Sequence, residues 1–331
     1  MKGGGSLVLR RNEIAKLLTL QECIAAVEHA FRLHGQKLVP APGMLGLHAR
    51  EGAFHIKAGF LELERSYFAA KVNANYPRNG DRFGLPTIQG VIVLCDAENG
   101  CPLAIMDSME ITARRTAAAS AVAAKYLARP ESSVLTVCGC GVQSYAQVRA
   151  LSAVLPLRKV FAYDKNLERA GRFVQQIGSE LRIELSTAPD LARAVGESDV
   201  CVTCTTSRTP VLLKADVPAG MFVAAVGADH PEKQELDPAL MAAATVVTDV
   251  TEQCAAIGDL HHAIAAGVMQ SSDVYAELGE VAAGCKPRRR SAEEIIVFDS
   301  TGMALQDVAA AAVGYEKAIA AGLGLRVDFA A

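Results

Sequence analysis

Residues 134–164, VLTVCGCGVQSYAQVRALSAVLPLRKVFAYD, decide how the rest of the chain is read. An apolar run, Val134 to Cys138, enters a glycine turn, Gly139-Cys140-Gly141. A helical pattern follows and ends near Pro156. A second apolar run, Val160 to Tyr163, stops at an acid, Asp164. Strand, glycine turn, helix, strand and acid, in that order, make the βαβ unit that holds a dinucleotide. The turn fits G-x-G-x-x-[G/A] except at its last place, where Ser144 is small but not glycine. Two glycines let the chain turn tightly and bring backbone N–H groups to a pyrophosphate at a helix N-terminus. Asp164 lies 25 residues after Gly139, close to the roughly 20 usual for the acid that holds ribose hydroxyls. A carboxylate there repels a 2′-phosphate, so the expected cofactor is NAD rather than NADP.

Beyond this unit, strands and helices keep alternating. Apolar runs at 184–185, 200–205, 222–226, 245–248 and 295–298 read as strands, with a helix at 190–195. This alternation predicts a doubly wound parallel sheet of Rossmann type with helices on both faces. Before it the pattern differs. A short strand at 7–9 and a helix at 20–35 lead into alternating runs at 53–57, 67–73, 89–96 and 101–106, punctuated by Gly, Pro and Asn. These read as an antiparallel or mixed sheet, with Asn99-Gly100 in a hairpin turn. An alanine-dense helix, 110–127, ends at Pro130, the expected boundary between domains. A last alanine-rich helix, 304–321, has the length and apolar face to return to the first domain. The expectation is an α/β chain in which residues 129–305 form a dinucleotide domain inserted into a discontinuous α+β domain, 1–128 with 306–331.

Composition narrows the function classes. With 51% hydrophobic and 21% charged residues, a net charge of -3 and one short basic run, Lys286 to Arg290 (KPRRR), the 331-residue chain does not read as a nucleic-acid binder. KPRRR reads as a solvated loop. The nine cysteines fall mostly in apolar runs. Cys201-x-x-Cys204 has metal spacing but no turn residues or histidines around it, so core thiols in a reducing compartment are expected. His261 and His262 are adjacent and cannot share a helix face, so no metal is expected. The N-terminus has no signal-peptide core and no apolar run nears bilayer length. The expected location is the cytoplasm.

From spacing alone four residues stand out as candidates. Lys57 and Lys71 interrupt strand-like runs, Arg115 lies on the alanine-dense helix, and Asp229 follows the strand FVAAV. Asp229 therefore sits past a strand carboxyl end, where open α/β sheets bind ligands. On spacing alone each of these residues reads more readily as a surface charge.

Several stretches together resemble the ornithine cyclodeaminase/μ-crystallin family. They are KVNANYP, GLPTIQGVIVLCDAENGCPLAIMDSMEITARRTAAASAVAAKYLA, GCGVQS, VGADHPEKQELD, GDL and IIVFDSTGMALQDVAAA, in order from about residue 20 to 323. The resemblance implies a Rossmann domain inserted into a substrate domain, a homodimer paired through the substrate domains, bound NAD(P)(H), and chemistry on small L-amino acids or their imines. By resemblance Lys71 is the active-site lysine, Asp229 the catalytic acid and Arg115 a substrate-carboxylate or cofactor-phosphate ligand. Gly139, Gly141, Val142, Gln143 and Asp164 match the cofactor fingerprint, and Thr205, Val226, Gly227 and Lys233 match positions lining the cofactor. There are two departures. The family's carboxylate-clamping arginine is missing around Pro42-Gly43. Where ornithine cyclodeaminases carry an acid, this chain reads FHIKAG, with His55 and Lys57. Lys57 is expected to take over the clamp and to disfavour a cationic side chain. The leading expectation is thus an imino-acid reductase or amino-acid dehydrogenase. The alternatives are an ornithine cyclodeaminase using NAD catalytically, and a non-catalytic ligand-binding protein of μ-crystallin kind. The partners expected are the small substrate and a second copy of the chain, not nucleic acid or membrane.

Overall fold

The computed structural model describes residues 5–329. They divide into two compact units. The first takes the chain up to Arg115 and again from Met303, and the second takes Thr116–Gly302. The first boundary therefore falls inside the helix Ser108–Leu127, earlier than the proline at 130, and the second just ahead of the helix Ala304–Ala321.

The first unit is built on a seven-stranded mixed sheet. Its order is Leu325–Val327, Ser6–Leu9, Pro102–Asp107, Ile88–Asp96, Ser66–Asn75, Gly52–Glu62, Gly43–Ala49. Ser6–Leu9 runs parallel to Pro102–Asp107, and the other pairs are antiparallel. The pleat alternates sides every residue. Ala53, Lys57, Gly59, Leu61, Tyr67, Ala69 and Lys71 are buried along the two long central strands, and the even-numbered neighbours face the other side. Helix Ala304–Ala321 lies against these strands and against helix Leu20–Gly35. Glycine lets it come close: a Cβ on Gly59 would lie 2.9 Å from Leu305 Cδ2. Helix Leu20–Gly35 opens with a capping box in which Thr19 and Glu22 satisfy each other's backbone N–H. Two edge strands had no signal in the sequence. Every residue of Gly43–Ala49 is exposed, so no alternation marks it, and Leu325–Val327 has three residues.

The second unit carries an eight-stranded, wholly parallel sheet. Its order is Ala276–Glu277, Thr245–Thr248, Ile296–Asp299, Phe222–Ala225, Val200–Thr203, Val134–Cys138, Lys159–Tyr163, Glu184–Thr187. From the far edge the first five strands thus run third, second, first, fourth, fifth. The chain reverses its direction of winding between Val134–Cys138 and Val200–Thr203, the switch point where such sheets bind ligands. The central strands are buried throughout, as a sheet covered on both faces requires. Helix Leu167–Gly178, which the expectation passed over, buries Ala170, Phe173 and Ile177 at helical spacing.

The basic run 286–290 is not simply a solvated loop. Arg288 stacks over Tyr126 with its Cζ 4.6 Å from the ring centroid, and Arg290 over Tyr275 at 4.5 Å. Arg289 donates from Nε to the Leu127 carbonyl (2.8 Å) and from Nη1 to the Ser291 and Glu294 carbonyls. Its guanidinium closes a turn. The cysteines are free thiols; Cys23, Cys138, Cys140, Cys201 and Cys254 are buried and Cys101 and Cys285 exposed. Among the described residues no helix is long and apolar enough to cross a membrane, and no His/Cys/Asp/Glu cluster is arranged to hold a metal.

Candidate functional site

In the first unit the sheet register sets Lys57 directly opposite Lys71 on neighbouring strands. The alternation of the pleat turns both into the core face, under helix Ala304–Ala321. Like charges directly opposite each other are unfavourable, and both are buried, Lys57 at 7% exposure and Lys71 at 3%. Asp307, in the first turn of the covering helix and 1% exposed, offsets this. Its Oδ2 accepts a hydrogen bond from Lys71 Nζ at 2.7 Å and its Oδ1 one from Arg115 Nε at 3.0 Å. Arg115, 5% exposed, also donates from Nη1 to Gln306 Oε1 at 3.0 Å. Two bases therefore share one acid. Burial, with Arg115 next and Lys57 beyond it, pulls Lys71 down to about 7 against the opposing pull of Asp307. Asp307 stays below the usual carboxylate range: burial pushes it up, and Arg115 and Lys71 outweigh burial.

The cluster is incomplete on one side. Arg115 Nη2 takes part in none of the cluster's hydrogen bonds, and Gln306 Nε2 is buried without a partner. Unused donors beside two bases are what an anion would satisfy. The missing arginine bears on the same place. Met44, next to Gly43, pairs in register with Lys57. Lys57 thus stands one strand away at the level where the family's arginine is lacking.

In the second unit the glycine turn lines a cleft of about 420 Å³, with Asp164, Thr205, Lys165 and Arg169 among its walls. Gly139 is glycine for the fold's own reasons. Its φ is +93°, and a Cβ there would lie 2.9 Å from Thr205 Cγ2. Gly141 is different: a Cβ there would meet nothing within 4 Å. That open space fits the close approach of a pyrophosphate. Helix Val142–Ser152 follows with no side-chain cap; the Ser144 N–H turns back to the Gly141 carbonyl at 3.3 Å, and no side chain caps the N–H groups of Val142 and Gln143. Val142 is 80% exposed and Gln143 Oε1 is buried without a partner. Ser144, the departure from the fingerprint, donates to the Gly141 carbonyl at 2.6 Å and tightens the first turn. Asp164 accepts from the Cys140 N–H at 2.9 Å and the Asn166 N–H at 2.8 Å, with Arg169 Nη1 3.7 Å away. The acid expected for the ribose is thus tied to the glycine turn. These features fit a dinucleotide.

Asp229 also belongs to the second unit, past the end of strand Phe222–Ala225. Its side chain is 50% exposed and it accepts from Lys233 Nζ at 2.5 Å. Lys233, read from the sequence as a cofactor contact, is the ion-pair partner of the candidate acid. Val226 is buried and follows that same strand, and the Gly227 N–H donates to Glu235 Oε2 at 2.8 Å. The sequence reading missed Asp307, Gln306 and Glu235. Asp307 had one visible signal, a Gln-Asp pair at the start of an otherwise apolar, alanine-rich helix.

The family model for ornithine cyclodeaminase/mu-crystallin matches residues 5–322. The chain belongs to this family. Among curated members it is 40% identical over 324 residues to the alanine dehydrogenase of Archaeoglobus fulgidus, covering 98% of each chain. Among solved members it is similar to an archaeal alanine dehydrogenase dimer with bound NAD, with a TM-score of 0.93, 40% identity and coverage of 98% and 99% of the two chains. It is also similar to the Thermococcus litoralis Delta(1)-pyrroline-2-carboxylate reductase in complex with NADH and L-proline. There the TM-score is 0.92 and the identity 34%, with coverage of 97% and 100%. The family is thus populated around this chain by NAD-linked enzymes of amino and imino acids, on a fold the two units reproduce.

Proposed function

We propose that the protein is an NAD(H)-dependent imino-acid reductase or amino-acid dehydrogenase acting at the α-carbon of a small L-amino acid. The observation that carries this reading is the buried cluster in which Lys71, drawn down to about 7, shares Asp307 with Arg115. A lysine that titrates near neutrality can give and take a proton at working pH, and the uncommitted Nη2 of Arg115 suits a carboxylate oxygen. When bound, the nicotinamide gives or accepts the hydride. Arg115 and Lys57 hold the substrate carboxylate. In reduction Lys71 supplies the proton that makes the imine nitrogen cationic, and in oxidation neutral Lys71 takes that proton back from the iminium nitrogen. Asp229 offsets the charge on that nitrogen. Gly139, Gly141 and the first turn of helix Val142–Ser152 hold the pyrophosphate, and Asp164 the adenosine ribose. The relatives named for alanine and pyrroline-2-carboxylate support a small, uncharged side chain. Lys57, in the stretch FHIKAG where the resemblance leads one to expect an acid in an ornithine cyclodeaminase, argues against a cationic one.

The same reading includes a homodimer and a cytoplasmic location. The outer face of the first unit's sheet exposes Leu45, Leu47, Phe54, Phe60 and Val91, an apolar surface of the kind that pairing covers. The test of function is a spectrophotometric screen. Pyrroline-2-carboxylate, piperideine-2-carboxylate, and pyruvate, glyoxylate or oxaloacetate with ammonia are offered with NADH. Stoichiometric NADH oxidation with at least one is expected. Proline and ammonia formed from ornithine with no net NADH change would replace this reading with cyclodeamination.

A further inference from the structure

Three motifs in the second unit have no task so far: KQELD at 233–237, GDL at 258–260 and DSTG at 299–302. Each contributes a buried carboxyl to one ladder. Glu235, 0% exposed, accepts three hydrogen bonds. Its Oε1 takes the Thr205 N–H at 2.6 Å, and its Oε2 takes the Thr203 hydroxyl at 2.7 Å and the Gly227 N–H at 2.8 Å. Behind it, Asp259 Oδ1 accepts from the Glu235 and Leu236 N–H groups at 2.8 and 2.9 Å. Asp299 in turn accepts from the Asp259 and Leu260 N–H groups at 3.3 and 2.9 Å. Among the described residues no Lys or Arg pairs with any of the three. Backbone amides stand where cations stand in the first unit, and burial outweighs them, pushing all three acids above the usual carboxylate range.

The two loops joined by Glu235 are those that meet the dinucleotide cleft and the candidate acid. Residue 205 sets the floor beneath the glycine turn, since a Cβ on Gly139 would lie 2.9 Å from Thr205 Cγ2 and 3.0 Å from the Cys204 carbonyl. Gly227 is pressed against the carboxyl itself. A Cβ there would lie 2.5 Å from Glu235 Cδ and 2.5 Å from the Thr205 carbonyl. The glycine that opens the Gly-Ala-Asp motif is therefore demanded by Glu235, and two residues later comes Asp229. All three groups bonded by Glu235 are donors. A carboxylate satisfies them with both oxygens, whereas a glutamine must turn its NH₂ toward an N–H.

We propose that Glu235 is a positioning residue for dinucleotide binding. It locks loop 204–206 to loop 226–229 at the carboxyl ends of strands Val200–Thr203 and Phe222–Ala225, with Asp259 and Asp299 anchoring it from behind. The proposal rests on the reading of the second unit as a dinucleotide domain.

The test uses the full chain with Glu235→Gln, and Thr203→Val as a milder variant that removes one donor and keeps the carboxylate. Two quantities are read: NADH affinity by fluorescence titration, and hydrogen exchange of the Thr205 and Gly227 amides without dinucleotide. Stranding a buried donor predicts about tenfold weaker NADH binding for Glu235→Gln and about threefold for Thr203→Val. Loss of amide protection should centre on residues 205 and 227, with strand Val134–Cys138 still protected. NADH affinity equal to wild type in both variants, or protection at 205 and 227 unchanged, overturns the proposal. If Glu235→Gln does not fold, the Thr203→Val pair of measurements decides it. Wild-type protein that binds no NADH refutes the dinucleotide reading, and the exchange data still decide whether Glu235 holds the loops.

Discussion

Replacing Asp307 by Asn tests the substrate cluster at the residue the sequence did not flag. The substitution keeps the shape and removes the one carboxylate shared by Lys71 and Arg115. Breaking a buried ion pair from one side typically costs about 3–5 kcal/mol, because the remaining charge stays buried without compensation. Urea unfolding should show a loss in that range. The effect on titration has a definite sign. Asp307 raises the Lys71 pKa, both through its charge and through its hydrogen bond. In Asp307→Asn the lysine therefore releases its proton below about 7, the value in the intact cluster. Imine reduction needs protonated Lys71, so the alkaline limb of its pH–rate profile should move to lower pH, and each unit is a tenfold change in the protonation ratio. Amino-acid oxidation, which needs the neutral lysine, should gain its acid limb earlier. Stability carries the same signature. Between about 7 and the ordinary 10.5 the unfolded lysine binds more protons than the folded one, so wild-type stability rises with pH across that window. In the variant the rise should begin at lower pH. A loss below about 1 kcal/mol, within the range of an exposed pair, together with an unmoved alkaline limb would refute the argument that Asp307 sets the state of Lys71.

Four further outcomes follow from the geometry. Gly139→Ala forces a side chain onto a backbone at φ +93° and against Thr205, and should destabilise by about 1–3 kcal/mol in thermal unfolding. Gly141→Ala meets open space, so it should leave stability within about 0.5 kcal/mol while weakening NADH binding at least tenfold; unchanged NADH affinity would remove Gly141 from the pyrophosphate site. Asp164→Ser should lower the ratio of NAD to NADP affinity by about tenfold, the scale of one charge-assisted hydrogen bond, and an unaltered ratio would show that the acid does not read the ribose. Leu47→Asp, on the exposed strand Gly43–Ala49, should give a folded monomer by sedimentation; a dimer of unchanged stability would move the proposed interface elsewhere.

What the sequence made visible follows from the range of the forces involved. The parallel sheet was legible because strands buried on both faces carry continuous apolar runs, as Val200–Thr203 and Phe222–Ala225 do. The glycine turn was legible because its geometry is local. Strand Gly43–Ala49 was not, because no residue of it is buried by the chain's own packing. The cluster was half legible. Lys57 and Lys71 interrupt apolar strands, but the acid between Lys71 and Arg115 comes from position 307, 236 residues beyond Lys71. No spacing rule spans that distance. Glu235 was hidden for another reason. A carboxylate in a loop next to Lys233 and Asp237 looks like surface charge, and its burial depends on three backbone and hydroxyl donors that have no mark in the sequence.

The run Lys286 to Arg290 shows what such hidden context does to sequence signals. Four basic residues in five are the usual form of a cellular address or a processing site, and a receptor or protease reads them by grasping extended, accessible side chains. Here one guanidinium spans three carbonyls and two others sit over tyrosine rings. The letters of a message are present, but the fold has used them as joinery. Lysine at position 289 would preserve the charge and lose the fork that reaches all three carbonyls, so a substitution that leaves the apparent signal intact would undo the part it plays.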